Sequence, residues 1–549
     1  MNLSAVKVQI KRHLSVWRIV SLAGAAVIML PIFFVFLSIF DAPNENWVQI
    51  RQYLVKEYIA QTLQLTLTVA VLTGLLGVTL AWLVAVFDFP GKRFFRWALV
   101  LPLAVPPYIA AFTYSTMFSY TGVVQTTLRN GLGIIPNQEL ITFSSMRGAV
   151  TLFTLFLFPY VYLITKSFLE RQSASYIENA RLLGRNGWSI FIRVAIPLSR
   201  PPLASGISLV TFEVLSDYGV TSYFGIHTVS TAIFQTWFGM YDADSAMRLA
   251  AWLMVIVMGL FFMEMLIRKR RAYSSTTSKS RPLTPRRLTG LRGMSATTFC
   301  LLIWCASFLF PLLQLIVWAS WTFDTVWDAD FVHLFYQTLS VAAVSTLIIM
   351  VFALIVAATN RSRSTASFLL SKAVTAGYSI PGAIIAIGVL VVFLWLDKVW
   401  AAVHHGFAIN GTPLVLSLTL AMLVMGYVIR FMATGYNAVE VGFEKTGRKF
   451  TEASRMLGHG MTRTFFSVDF PLIKGAVMSG CILTFVEICK ELPLALILRP
   501  FNFETLATKA YRYANDEQIF KASIPSLLII CISFISVYVM HLLDRKWDK

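Results

Sequence analysis

The sequence predicts an all-α, polytopic membrane protein made of two homologous halves. Three observations predict it. The chain has 549 residues, of which 57% are hydrophobic and only 13% charged, a charge content well below that of a soluble domain. Its apolar residues gather in runs of about 20, the length that crosses a bilayer as a helix. One stretch also occurs twice. Glu178 to Gly184 is followed by Pro197, and Glu452 to Gly458 by Pro471, with Glu, Gly and Pro all repeating at an offset of 274 positions. A shared offset over that distance means two copies of one unit in tandem.

Taken in order, the runs predict about 12 spans. The first six lie near 19–40, 60–87, 97–118, 148–168, 202–225 and 248–267; the second six lie near 296–320, 335–358, 373–396, 413–435, 475–495 and 522–543. Lys7, Lys11 and Arg12 precede the first run. That run is too long for a signal-peptide core and is read as a retained span. Gln61-Thr62-Leu63 opens span two and Gln337-Thr338-Leu339 opens span eight, while Pro106 and Pro381 fall at the same place in spans three and nine. Spans one and seven are therefore extra helices, each preceding a five-helix unit.

The organisation that follows has six parts. Residues 1–59 hold the N-terminal segment and first span, 60–267 the first unit, and 268–295 a basic linker; 296–334 hold span seven and an external loop, 335–543 the second unit, and 544–549 the tail. The linker begins Arg268-Lys269-Arg270-Arg271 and continues through a Ser/Thr/Pro-rich stretch. It reads as flexible chain facing anionic lipid heads. With both termini cytoplasmic, the cytoplasmic segments hold about 35 of the 46 Lys and Arg, as the positive-inside rule requires. The net charge of +19 then belongs to the membrane surface, and no nucleic-acid partner is expected.

Several function classes are excluded. No GxxxxGK[ST] loop offers a phosphate cradle. No nucleophile elbow, zinc motif or paired-carboxylate motif stands outside the membrane. The five cysteines all lie in apolar runs, with no CxxC pair, and read as small buried residues. The chain is not expected to be an enzyme by itself.

The repeated stretch reads as a short helix on the cytoplasmic face. Ser175-Tyr176-Ile177-Glu178 is a capping-box pattern. Ala180 and its neighbours give an apolar stripe, and Gly184 supplies a left-handed helix end. The second copy lacks the capping box but keeps Glu452, Ala453 and Gly458. A short amphipathic helix of this kind suits a partner's groove; the other reading is a helix that only lies on the membrane.

This pattern resembles the EAA loop of bacterial ABC importer permeases, with Asn179 in place of the middle Ala of the first copy and Ser454 in place of the last Ala of the second. The resemblance implies a type I ABC importer permease fold. Glu178, Ala180, Gly184, Pro197, Glu452, Ala453, Gly458 and Pro471 would then belong to coupling loops that dock on two copies of a cytoplasmic ATPase subunit. Phe212 to Gly219 and Lys490 to Pro500 further resemble the fused permeases of ferric-iron importers. That resemblance implies iron(III) as the cargo, delivered by a periplasmic binding protein, and an inner-membrane location. It implies no cofactor on this chain, with ATP and magnesium on the ATPase. Thiamine is the alternative cargo, since its permeases are also fused. A secondary transporter of the major facilitator type also has 12 spans in two halves, but it gives no reason for two EAA loops.

Four acids complete the reading. Glu213, Asp217, Glu487 and Glu491 lie in or beside spans five and eleven, as two i, i+4 pairs related by the same offset of 274. Each pair is expected to share one helix face. Charged groups inside spans are costly and usually line a water-filled path. The expectation is that all four converge between the halves and contact iron(III) transiently, their oxygens suiting a hard cation. The alternative is structural ion pairing with Lys490 or other bases.

Overall fold

The structure, a computed structural model, describes residues 16–135, 137, 141–171, 175–269, 285–361, 365–405 and 415–547. Lys7, Lys11, Arg12, linker residues 270–284 and the last two residues of the tail lie outside them. The described residues are mostly helical. The first half contains α1 (Val16–Leu37), α2 (Val55–Val86), α3 (Pro107–Phe118), α4 (Met146–Arg171), α5 (Ser175–Leu182), α6 (Arg200–Ser216), α7 (Gly219–Tyr223) and α8 (Ala243–Lys269). The second contains α9 (Gly290–Trp304), α10 (Phe310–Val326), α11 (Ala329–Asn360), α12 (Gly382–His405), α13 (Leu420–Thr446), α14 (Lys449–Met456), α15 (Phe470–Lys490), α16 (Pro493–Leu498) and α17 (Ile519–Trp547).

Helix stands at all of the expected places, yet not every place is a long apolar span. Among the described residues nine helices are long and apolar enough to cross a membrane, and a pair bent by 92° at Pro106 makes a tenth. The bend has a local cause: proline lacks a donor and pushes the residue before it out of helical geometry. Val105 is accordingly extended. Pro381 interrupts the matching place in the second half, between Ser379 and Gly382. The expected span at 202–225 is shorter than predicted, because α6 stops at Ser216 after 17 residues. The one expected at 413–435 only overlaps α13, which starts at Leu420 and whose 27 residues carry Arg430, Glu440, Glu444 and Lys445; it falls short in apolarity.

Each half's leading span touches the other half, although α10 of the second packs on α17 of its own half, where the Trp318 and Phe520 rings are 5.6 Å apart. α1 belongs to the first half in sequence but packs on the second. Ser21 Oγ lies 3.1 Å from Thr359 Oγ1, and Trp17 Nε1 donates to Thr462 Oγ1 at 3.2 Å. The Trp17 and Phe465 rings are 5.2 Å apart. Reciprocally, Thr297 Oγ1 of α9 donates to Pro90 O at 2.8 Å, and Trp304 meets Phe94 edge-on at 5.1 Å. The buried core also crosses the seam. Tyr108, Val214 and Leu492 share one cluster, and Phe212, Cys489 and Leu494 share another.

The linker is ordered at its end, where flexible chain was expected. β1 (Phe87–Asp88) and β2 (Arg286–Arg287) pair in parallel, and Leu288 N donates to Asp88 O at 2.8 Å. Helix resumes at Gly290.

Candidate functional site: paired loop helices and an acid-lined cavity

The repeated stretch forms an eight-residue helix in each half, α5 and α14. Both end on a left-handed glycine, Gly184 at φ +74° and Gly458 at φ +83°. A side chain added at either glycine would meet nothing within 4 Å, so glycine is required here by backbone conformation and not by crowding. The expected capping box rests on side chains from Ser175 to Ile177, which lie outside the described residues. Glu178, Leu182 and Leu183 are exposed in the first copy, as are Glu452, Ala453, Met456 and Leu457 in the second, while Ala180 is buried. Each helix therefore presents an acid and bare apolar side chains outward.

A second repeated feature follows, which the sequence did not announce. Phe191–Ala195 and Phe465–Asp469 each form a widened π turn. The N–H of Ile196 reaches Phe191 O, and that of Phe470 reaches Phe465 O, both five residues back. Pro197 and Pro471 come immediately afterwards, each near the start of the next helical segment. A proline has no N–H to continue the ladder, and a widened turn is one way to relocate the bonds around it. Pro197 is half-buried and Pro471 exposed.

Among the described residues, a buried ion pair ties down the second loop and none is seen at the first. Arg361 Nη1 and Asp469 Oδ1 are 3.0 Å apart, with 14% and 8% of their side chains exposed. Thr451 Oγ1 of α14 donates to the same carboxylate at 2.6 Å, and Arg361 also donates to Gly447 O. Burial pulls Arg361 below its ordinary value, and the Asp469 carboxylate opposes that pull.

The four acids come together. Glu213, Asp217, Glu487 and Glu491 all line one cavity of about 100 Å³ at the seam between the halves, together with Arg430 and Lys490. The arrangement differs from two shared helix faces. Glu213 and Glu487 are helical, but Asp217 and Glu491 stand just past the ends of α6 and α15 with extended backbone, at ψ 135° and 125°. The reason is a competing hydrogen bond. Asp217 Oδ1 accepts from Val220 N at 3.0 Å and Thr221 N at 3.1 Å, capping α7. Glu491 Oε1 accepts from Leu494 N at 3.3 Å, in α16. Capping by acids at a helix start is favourable, so the chain breaks there. A Cβ on Gly382 would stand 2.7 Å from Glu491 Oε1; that glycine leaves room for the carboxylate.

The cavity is mixed in charge. Lys490 Nζ lies 2.7 Å from Glu487 Oε1, the ion pair that the structural alternative named. Arg430 is buried and donates to Ile380 O. Arg430 was missed from the sequence, although a lone arginine within an expected span is a signal. Among the described residues, no three His, Cys, Asp or Glu side chains form a group that could hold a metal ion. The four acids line the cavity without forming such a group.

The comparisons with known proteins agree with the duplication. The family of binding-protein-dependent transport system inner membrane components matches residues 75–266 and again 349–549. The chain is 24% identical over 489 residues to the Fe(3+)-transport system permease protein FbpB 2 of Haemophilus influenzae, covering 88% of this chain and 89% of that one. It is 23% identical over 550 residues to the ferric transport system permease protein FbpB of Actinobacillus pleuropneumoniae, covering 93% and 75%. The sulfate transport system permease protein CysW of Escherichia coli is 26% identical over 205 residues, covering 37% of this chain and 67% of that one.

Proposed function

The chain belongs to the family of binding-protein-dependent transport system inner membrane components, and from that premise we propose that it passes iron(III) across the inner membrane. It is a transport subunit of the fused ABC importer type, with both permease units in one polypeptide. In this reading a periplasmic binding protein hands iron(III) to the outer face. Two copies of a separate ATPase dock on α5 and α14 at the cytoplasmic face, where both termini also lie, and ATP and magnesium are held by those subunits. The units run over 60–267 and 335–543, and the cavity opens alternately to the two sides.

The observation that carries the iron reading is the gathering of four carboxylates from both halves at one seam. The relatives named for ferric transport, which match most of the chain, support it. Carboxylate oxygens suit a hard, highly charged cation. Lys490 and Arg430 offset part of the negative charge, and partial offset favours passage, since conduction needs binding weak enough to release. Asp217 and Glu491 keep a structural duty as helix caps and still face the cavity.

The test is ferric uptake by cells carrying this permease and its partners. Glu213→Gln, Asp217→Asn, Glu487→Gln and Glu491→Gln should each lower uptake while the variants still purify with two ATPase subunits. Normal uptake in all four would remove the acids from the path. A second reading rests on Arg430, Lys490 and the partial sulfate-permease match: a small oxyanion as cargo. Sulfate uptake that is sensitive to Arg430→Gln, with no ferric uptake, would decide for it.

A further inference from the structure

The wall of the acid cavity includes a tyrosine, just past the bend before α3, that nothing so far has used. Tyr108 is the second residue of α3, just beyond the bend at Pro106, and lines the same cavity as the four acids. Its side chain is buried, 5% exposed, and its hydroxyl has no hydrogen-bond partner among the described residues. Its position is fixed on two sides. A Cβ on Gly219 would stand 2.5 Å from Tyr108 Cβ, so the backbone of α7 closes directly on it. The Tyr511 ring meets the Tyr108 ring edge-on at 6.5 Å.

A buried hydroxyl left without a partner is unfavourable and rare, and a phenylalanine would fill the same space without that cost. Pro106, Pro107, Phe153 and Phe156 of the same half add apolar surface to the cavity wall. The hydroxyl is thus an unpaired buried oxygen on a residue that lines the cavity, beside its charged groups and the hydroxyl residues Ser216 and Tyr160.

We infer that the Tyr108 phenol oxygen contacts the cargo directly and is a specificity-determining group of the path. The inference rests on iron(III) as the cargo. A phenol oxygen is a hard donor, and ligation to a trivalent cation lowers its affinity for its proton. The proton then passes to one of the carboxylates lining the cavity, so charge is conserved within the site. A divalent ion, a weaker Lewis acid, would leave the phenol protonated and gain less from it. Tyrosine thus favours the trivalent ion over divalent ones, which carboxylates alone do less well.

The test uses the full-length permease with its ATPase partners in lipid nanodiscs, and ferric nitrilotriacetate as the probe. Iron(III) bound to a phenolate absorbs in the visible range. Wild-type protein should gain that band on ferric loading, Tyr108→Phe should lack it, and Tyr511→Phe, whose ring touches Tyr108 but does not line the cavity, should keep it. Ferric uptake by Tyr108→Phe should fall about tenfold, the loss of one contact to a charged group. Its thermal stability should match or exceed wild type, because an unpaired hydroxyl is removed. The same band and the same uptake in Tyr108→Phe as in wild type would overturn the inference. If the wild type moved no iron at all, the cargo assignment would fall with it. If the acid-to-amide variants lost uptake and Tyr108→Phe did not, iron would stand and the role of Tyr108 would fall.

Discussion

Asp469 shows how a single side chain makes the two repeated loops unequal. At the matching place 274 positions earlier stands Ala195, which can hold nothing. Asp469 accepts from Thr451 in α14 and from Arg361 at the end of α11, so it ties the loop helix to a long helix behind it. Both partners of the Arg361–Asp469 pair are mostly buried, and removing one partner of such a pair strands the other charge. Asp469→Ala should therefore destabilise the second loop by about 3 kcal/mol, the lower part of the range for broken buried pairs. The double variant Arg361→Leu/Asp469→Leu should recover part of the loss, since no charge is then stranded. Thermal unfolding of the purified variants measures both. An Asp469→Ala protein as stable as wild type would show that the pair does not hold the loop. Sequence reading could not find this pair, because its members lie 108 positions apart and no repeat marks them.

The loop helices are the elements whose ends were legible in advance. The spacing from Glu to Gly was enough to predict helix and left-handed stop, and Gly184 and Gly458 both occupy that conformation. Because nothing stands within 4 Å of either added Cβ, substitution there meets backbone strain and not crowding at Cβ. Gly184→Val or Gly458→Val should cost roughly 1–2 kcal/mol locally. Protein should reach the membrane at normal levels while substrate-stimulated ATP hydrolysis falls. Loss of the protein from the membrane would instead mean that the loop is needed for folding. The acid pairs were legible only in part. Their shared offset placed them at equivalent positions, and they do meet in one cavity. The i, i+4 spacing did not show that Asp217 and Glu491 would leave the helix to cap the next one, because a cap depends on the free N–H groups of α7 and α16. The π turns before Pro197 and Pro471 were likewise hidden, since periodicity reports which face is apolar and not how a ladder detours around a proline.

At the scale of the whole molecule, the packing of α1 on the second half helps explain how two units in one chain hold together. The offset in sequence established the duplication but not which unit each leading helix would join. α1 settles on the second half, burying Ile28 and Val35 in a core shared with α12 and α13. Gly388 of α12 permits the approach, since a Cβ there would stand 2.7 Å from Pro31 O of α1. A backbone oxygen in mid-helix cannot move aside as a side-chain tip can. The described end of the linker, by contrast, contacts the first half through β1 and β2. The halves are thus joined by packed helices, and the covalent link mainly raises their effective concentration. Two chains covering 1–275 and 276–549, produced together, should copurify and restore ferric uptake. Gly388→Leu in the second chain should weaken that association while leaving membrane insertion of each chain intact. Halves that insert but do not copurify would contradict a role for the α1 packing, and so would a Gly388→Leu pair that associates as tightly as the unaltered one.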